Sequence, residues 1–110
     1  MSYDVHITRA AEFYESDNHP ISLSEWQTII QADPELEART EITMTTPSGD
    51  TLSMSGGPGL AVWRFDGLDY YLIYRDSHIS TRYSDDVIDK LKELAARLDA
   101  RVIGDEGEEY

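Results

Sequence analysis

The segment from Leu60 to Tyr83, LAVWRFDGLDYYLIYRDSHISTRY, constrains the fold more than any other part of the chain. Runs of aromatic and β-branched residues alternate here with polar residues, and short polar stretches typical of tight turns interrupt them. We predict a three-stranded antiparallel meander with two-residue loops at Gly67-Leu68 and at Asp76-Ser77. These loops decide which side chains share a face, because neighbouring side chains of a strand point to opposite sides.

The predicted register gives the meander an apolar face and a basic face. The apolar face, expected to lie on the core, carries Trp63, Phe65, Tyr70, Leu72, Tyr74, Ile79 and Tyr83. The basic face carries Val62, Arg64, Tyr71, Ile73, Arg75, His78 and Arg82. A slip of one residue in either turn would exchange side chains between the faces, so the assignment depends on both turns.

The basic face is unusual in a chain with 22 acidic residues, 9 lysines and arginines and a net charge of -13. Its candidate residues for ligand or partner binding are Arg64, Tyr71, Arg75, His78 and Arg82. Three interpretations are open. The acidic tail, residues 104–110, folds back and neutralises the arginines, or the arginines stay solvated and prevent edge-to-edge association of sheets. In the third, they bind an anionic ligand or an acidic patch of a partner, because arginine forks suit carboxylate and phosphate.

Capping signals define the first helix. Ser22 and Glu25 are spaced as a capping box, and Ile21 and Trp26 as a hydrophobic staple around it. The Asp33-Pro34 step is expected to end the helix, because helical backbone is disfavoured before proline.

Alternating apolar residues predict further strands outside the meander. Residues 3–8 form a half-buried strand, and residues 41–55 form a hairpin around a turn at 47–50. The inward side chains of this hairpin are expected to be Ile42, Met44, Leu52 and Met54. Residues 34–37 are expected to form a short helical turn, and residues 55–59 a flexible connection.

A second helix is predicted from Ser84 or Asp85 to about Ala100, because serine caps helices and acidic residues favour their first turn. The i,i+4 pairs expected on its exposed side are Asp86–Lys90 and Glu93–Arg97. Together with a short strand at 101–103, these elements predict a single α+β domain over residues 1–110. We expect an antiparallel sheet of five to seven strands, with two helices packed on one face and the other face open.

Composition excludes several classes of protein. The chain has no cysteine, which rules out disulfides, thiolate metal sites and cysteine catalysis. No apolar run reaches the length of a membrane span, and the opening MSYDVHITRA lacks the pattern of a signal peptide, so a cytoplasmic protein is expected. The acidic balance argues against nucleic acid and anionic membranes as partners. It suits a basic protein partner, although solubility alone also explains it.

Motifs for catalysis or metal binding are not found. The three histidines, His6, His19 and His78, lack metal-ligand spacing. The SGGPG stretch at 55–59 lacks the lysine and the following helix of a phosphate-binding loop. We therefore expect no metal, no cofactor and a non-enzymatic role.

Five sequence blocks resemble a family of small uncharacterised bacterial proteins. They are M-S-Y-D-x-H-I-T-R at the start, I-S-L-x-E-W at the first helix, D-P-E-L after it, G-L-A-V-W in the meander and A-R-V-x-G-D-E-G-E near the end. In that family Asp-Gly usually occupies the second meander turn, where this chain has Asp76-Ser77. Small acidic proteins of this kind are also similar, as a class, to the immunity proteins paired with bacterial toxins.

Two functional hypotheses follow. The first is a non-enzymatic acidic protein-binding domain of the immunity type, which neutralises a cationic partner through complementary charge. The alternative is a small enzyme or ligand-binding domain that uses the basic Arg/His/Tyr face for an anionic metabolite. The sequence leaves the oligomeric state open.

Overall fold

The computed structural model describes residues 3–55 and 57–110, apart from the side chain of Met44. The strands of the described part are β1 (Asp4–Thr8), β2 (Leu36–Ala38), β3 (Glu41–Thr45), β4 (Thr51–Ser55), β5 (Ala61–Phe65), β6 (Leu68–Arg75), β7 (His78–Arg82) and β8 (Arg101–Gly104). The helices are a 3₁₀ helix (Phe13–Asn18), α1 (Leu23–Ala32) and α2 (Asp85–Arg97). None of these helices is long and apolar enough to span a membrane.

Six strands form one antiparallel sheet in the order β2-β5-β6-β7-β1-β8, and β3 pairs with β4 in a separate two-stranded sheet. Side chains of both α-helices join one core cluster with one face of the large sheet. The predicted α+β class, with an antiparallel sheet of five to seven strands and two α-helices on one face, is confirmed. We call the side of the large sheet opposite the α-helices the outer face.

The second predicted turn of the meander is confirmed, and the first lies one residue earlier than predicted. Arg75 pairs with His78 around Asp76-Ser77, where both residues have positive φ, 52° and 67°. The first loop is Asp66-Gly67, because glycine adopts the positive φ that this turn needs more readily than leucine. Both ends of the loop move by one residue, so the register shifts by two and the predicted faces are unchanged.

The capping box at the start of α1 is confirmed. The Ser22 hydroxyl accepts a hydrogen bond from the Glu25 amide at 3.2 Å, and the Glu25 carboxylate accepts one from the Ser22 amide, also at 3.2 Å. The two staple residues, Ile21 and Trp26, are fully buried in the core. The indole of Trp26 also donates a hydrogen bond to the carbonyl of Gly59 at 2.7 Å.

The short helical turn predicted at 34–37 is wrong, because residues Leu36–Ala38 form the edge strand β2. The Asp33 carboxylate accepts a hydrogen bond from the Glu35 amide at 2.9 Å, which turns the chain after α1. Leu36 then pairs with Trp63 and is buried. Burial of Leu36 on the sheet therefore outweighs the local helical preference.

The exposed ion pairs predicted on α2 are also wrong. Lys90 follows Val87 by almost one turn, so it lies on the apolar stripe and is only 4 % exposed. Its ammonium lies 2.7 Å from carboxylate oxygens of both Asp33 and Glu35. Arg97 lies 3.3 Å from the same Asp33 carboxylate. These contacts tie the end of α1 to α2.

The β3–β4 hairpin forms as predicted, but its apolar side chains do not enter the core. Leu52 and Met54 are 53 % and 51 % exposed. The physical reason is that the hairpin leaves the large sheet, so neither α-helix covers its apolar side. The predicted inward position of Met44 concerns a side chain outside the described residues, and so does Gly56 of the predicted flexible connection.

The outer face is covered at one end, so the predicted open face is wrong there. The Phe13 ring of the 3₁₀ helix stacks on His6 with ring centroids 4.0 Å apart. The hydroxyls of Thr8 and Ser16 form a hydrogen bond at 2.7 Å. His6 and Thr8 are therefore buried, although the alternation of β1 predicted a half-buried strand.

Candidate ligand-binding cleft

A cleft of about 520 Å³ opens where the outer face is not covered by the 3₁₀ helix. Its floor comes from β6 and β7 and its wall from β3 of the hairpin. The residues that line it are Asp4, Ile42, Leu68, Asp69, Tyr70, Tyr71, Ile73, Arg75, Ser80, Thr81 and Arg82. The hydroxyl of Tyr71 donates a hydrogen bond to the carbonyl of Thr43 at 3.4 Å, which links the floor to the hairpin.

Strand alternation explains why these floor residues share one side. Tyr71, Ile73 and Arg75 are every second residue of β6 and therefore point the same way. Ile73 pairs with Ser80 of β7, and Arg82 is the next residue of β7 on that side. Part of the predicted basic face of the meander, the residues Tyr71, Ile73, Arg75 and Arg82, thus forms the floor of the cleft.

Three of the five candidate residues, Tyr71, Arg75 and Arg82, line the cleft, whereas Arg64 and His78 do not. The guanidinium of Arg64 donates a hydrogen bond to the carboxylate of Asp69 at 2.9 Å, and this hydrogen bond raises the pKa of Arg64. His78 is buried, with its ring 5.2 Å from that of His6. Burial lowers the pKa of His78, so the imidazole is neutral at neutral pH and adds no charge to the floor.

The acidic tail does not neutralise the arginines. The Asp105 carboxylate lies 2.7 Å from the His6 imidazole and accepts a hydrogen bond from the Asp4 amide at 2.9 Å. Glu109 lies 3.7 Å from Arg101 of β8. Among residues 3–55 and 57–110, no ion pair joins the tail to the meander arginines. The first interpretation of the basic face is therefore wrong.

Protection against edge-to-edge association is also contradicted by strand order. Arg75 and Arg82 belong to β6 and β7, which are interior strands of the large sheet. The edges are β2 and β8. Charges on interior strands do not shield an exposed edge, so anion or partner binding is the interpretation left for these two arginines.

Arg75 and Arg82 differ from most other cations of the chain. Within the described residues they make no ion pair, whereas six of the nine lysines and arginines do. Cleft acids are present: Asp69 is held by Arg64, and Asp4 is the cross-strand partner of Arg82. Both lining acids thus lie toward the Arg82 end of the floor, and no acid lines the cleft beside Arg75.

The hairpin wall and Asp4 were not expected as parts of this site. The alternation of residues 41–55 indicates an apolar side of the hairpin, but its position depends on contacts between distant segments. Asp4 lies on a strand that was predicted, but only the order of strands in the sheet shows that this strand is next to β7 and the cleft.

A second polar cluster lies under the 3₁₀ helix, outside the cleft. The His6 Nε2 and Asp105 Oδ1 atoms are 2.7 Å apart, and the His6 Nδ1 atom is buried without a hydrogen-bond partner in the described structure. Burial opposes ionisation of Asp105, but hydrogen bonds from Asp4 and His6 outweigh it and lower the pKa of this carboxyl. We interpret the pair as an anchor for the tail. No group of three or more potential metal ligands occurs in the described part of the chain.

The outward side of the 3₁₀ helix forms an acidic surface around one aromatic ring. Tyr14 is 72 % exposed, and Glu12, Glu15 and Asp17 lie within three residues of it in the chain. Asp17 accepts a hydrogen bond from the Ser77 hydroxyl at 3.0 Å, which joins this helix to the second meander turn.

Comparisons of this chain with protein-family models, with curated proteins and with solved structures each found no match. No function can therefore be transferred from a relative. Any function of this chain has to be inferred from the geometry and charge of the cleft and of the acidic surface.

Proposed function

We propose that this chain is a non-enzymatic binding domain that holds an organic anion in the cleft. The observation that supports this most directly is the state of Arg75 and Arg82, which make no ion pair among the described residues of a chain with 22 acids. A volume of about 520 Å³ lies in the range of small-molecule sites. Arginine binds carboxylate and phosphate oxygens through a planar fork of donors.

The lining also fits binding better than catalysis. Two acids line the cleft: Asp69 is held by Arg64, and Asp4 lies across from Arg82. The other polar residues of the lining are hydroxyl-bearing, Tyr70, Tyr71, Ser80 and Thr81. The buried histidines His6 and His78 do not belong to the lining. The alternative with an enzymatic role therefore receives no support from a positioned acid–base pair.

Replacing Arg75 and Arg82 together by alanine is expected to weaken anion binding roughly tenfold, because each exposed charge pair contributes up to about 1 kcal/mol. We would titrate benzoate, citrate and adenosine monophosphate into labelled protein and follow the amide resonances of Tyr71, Ile73 and Arg82 by NMR. At least one of these anions should shift them saturably.

The matched control is the double variant Lys92→Ala/Arg101→Ala, which removes the same charge from α2 and β8. Its binding should stay within about twofold of the parent, because exposed charges away from a site act weakly. The proposal is wrong if none of the three anions binds, or if the control loses as much affinity as the Arg75→Ala/Arg82→Ala variant.

A second candidate function is neutralisation of a cationic protein, as in the toxin-immunity class. The acidic surface of the 3₁₀ helix supports it, because Tyr14 is the most exposed of the large apolar and aromatic side chains described. Tyrosine is enriched at interface hot spots, and its ring attracts lysine and arginine. Carboxylates around it would speed encounter with a basic partner.

For this candidate we expect a complex with a basic protein encoded by the neighbouring gene, stable at low salt and weakened as salt rises. Tyr14→Ala combined with Glu15→Lys should weaken it at least tenfold, whereas Arg75→Ala should not. Calorimetry would measure the affinity of this complex. If that affinity does not change with salt or with these substitutions, the acidic surface is not the binding site.

A further inference from the structure

We infer that the ligand of the cleft is a free monocarboxylate with an apolar body, whose carboxylate binds at Arg75. This inference rests on the proposed anion binding and adds the charge of the ligand, its orientation and the nature of its body. Three observations carry it: the separation of the two arginines, the charge balance at each end of the floor, and the apolar side chains between them.

The two arginines lie at opposite ends of the floor. Arg75 pairs with His78, and Arg82 is four residues further along β7. Their Cα atoms are therefore about 13 Å apart along the strand direction, at about 3.3 Å per residue. One small anion at the floor cannot lie close to both backbone positions, so the two ends have to be considered separately.

The charge balance differs between the ends. At the Arg82 end of the floor, Arg82 faces Asp4 across the β1–β7 pair, and the nearby Asp69 is neutralised by Arg64. At the Arg75 end of the floor, the cross-strand partner of Arg75 is His78, and burial keeps this imidazole neutral at neutral pH. Asp76 of the turn and Asp17 of the 3₁₀ helix also lie near His78, but neither lines the cleft, so Arg75 has no acidic side chain beside it in the lining. The cleft thus suits a monoanion better than a dianion or a polyphosphate.

The middle of the cleft is apolar. Ile73 lies on the floor between the two arginines, and Ile42 of β3 forms the opposing wall. Ile42 pairs with Met54, so it belongs to the side of the hairpin that exposes Leu52 and Met54. A ligand body along the floor would cover Ile73 and Ile42, and its end would reach Tyr71. Such burial favours methylene or aromatic groups.

The test is a calorimetric titration of hexanoate, octanoate and decanoate, each below its micelle concentration. Affinity should rise two- to fourfold per added methylene, as expected for partly to fully buried groups. Sebacate, a dicarboxylate of the same length as decanoate, should bind more weakly than decanoate. Arg75→Ala should reduce decanoate affinity about fivefold, and Arg82→Ala should reduce it less.

Ile42→Thr provides a variant that keeps a β-branched strand residue and removes apolar area from the wall. It should reduce decanoate affinity at least twofold more than hexanoate affinity, while Lys92→Ala leaves both unchanged. Circular dichroism and the thermal midpoint show whether each variant is folded, and the chain-length series uses the parent protein alone.

The outcomes separate the two proposals. No gain with chain length, or tighter binding of sebacate than of decanoate, overturns the monocarboxylate inference. If citrate or adenosine monophosphate still binds in a way that depends on Arg75 and Arg82, the proposed anion binding stands and only the monocarboxylate inference is wrong. If no anion of either series binds, both are wrong.

Discussion

Replacing Lys90 by methionine is expected to lower the free energy of unfolding by about 3–5 kcal/mol, because the change leaves the buried Asp33 carboxylate without its main partner. Asp33 and Lys90 are 5 % and 4 % exposed, and their charged atoms are 2.7 Å apart. Methionine fills much of the space of the lysine stem, so the loss is electrostatic rather than a cavity. Urea unfolding followed by circular dichroism measures it.

Lys92→Met is the control on the same helix, since Lys92 is exposed, and its effect should stay within about 0.5 kcal/mol. Equal effects of the two substitutions would mean that the Asp33–Lys90 pair has no special role. A large loss in Lys90→Met with none in Lys92→Met is the expected result.

The deficit of Lys90→Met should also shrink as the pH falls. In the parent, burial raises the pKa of Asp33, but hydrogen bonds from Lys90 and from the Glu35 amide outweigh it, and the pKa is below its usual range. The stability from this carboxyl is therefore present above pH of about 4 and lost as pH falls through the folded pKa. Without Lys90, only the Glu35 amide and Arg97 oppose the effect of burial, so we expect a higher folded pKa of Asp33 than in the parent and a smaller deficit as this carboxyl takes up a proton. Unfolding curves at several pH values between neutrality and about 4 test this sign.

Trp26→Ala is expected to reduce the free energy of unfolding by about 3–5 kcal/mol. The indole is fully buried in the core between α1 and the sheet, and its N–H group donates to the Gly59 carbonyl at 2.7 Å. The change removes this contact area and leaves a cavity that the rigid sheet cannot close. It also leaves the Gly59 carbonyl without its donor.

Trp26→Phe separates these contributions, because it keeps most of the apolar contact and removes the hydrogen bond; a loss of about 1–3 kcal/mol is expected. Tyr14→Ala is the exposed aromatic control and should change stability by less than about 0.5 kcal/mol. A Trp26→Ala variant as stable as Tyr14→Ala would contradict the buried position of the indole. Thermal and urea unfolding of all three variants give the comparison.

The local features of this fold were predictable because each depends on a few neighbouring residues. Ser22 and Glu25 satisfy free amides at the start of α1 through their own side chains. The Asp76-Ser77 turn is set by two residues, and the faces of the meander survived the misplaced first loop because strand alternation has a period of two.

Contacts between distant segments explain the errors. Residues 34–37 were expected to be helical, but burial of Leu36 beside Trp63 stabilises a strand there more than the local preference stabilises a helical turn. Lys90 was expected in solvent because an i,i+4 acid was available, but its partners Asp33 and Glu35 follow the C-terminal end of α1, more than fifty residues away in the chain. The 9–20 segment folds back over β1 through Phe13 and Ser16, and it removes His78 from the predicted site.

By itself, the sequence determined the class of the fold, the capping of its helices and the side of the meander on which Tyr71, Arg75 and Arg82 lie, because periodicity and capping act over a few residues. Only the tertiary structure decided that β6 and β7 are interior strands and that Arg64 is paired with Asp69. It also decided that the β3–β4 hairpin forms one side of the cleft. Those features depend on which distant segments bury one another, and burial is shared by the whole chain. As a result, part of the basic face lines a cleft in which no acid of the lining lies beside Arg75.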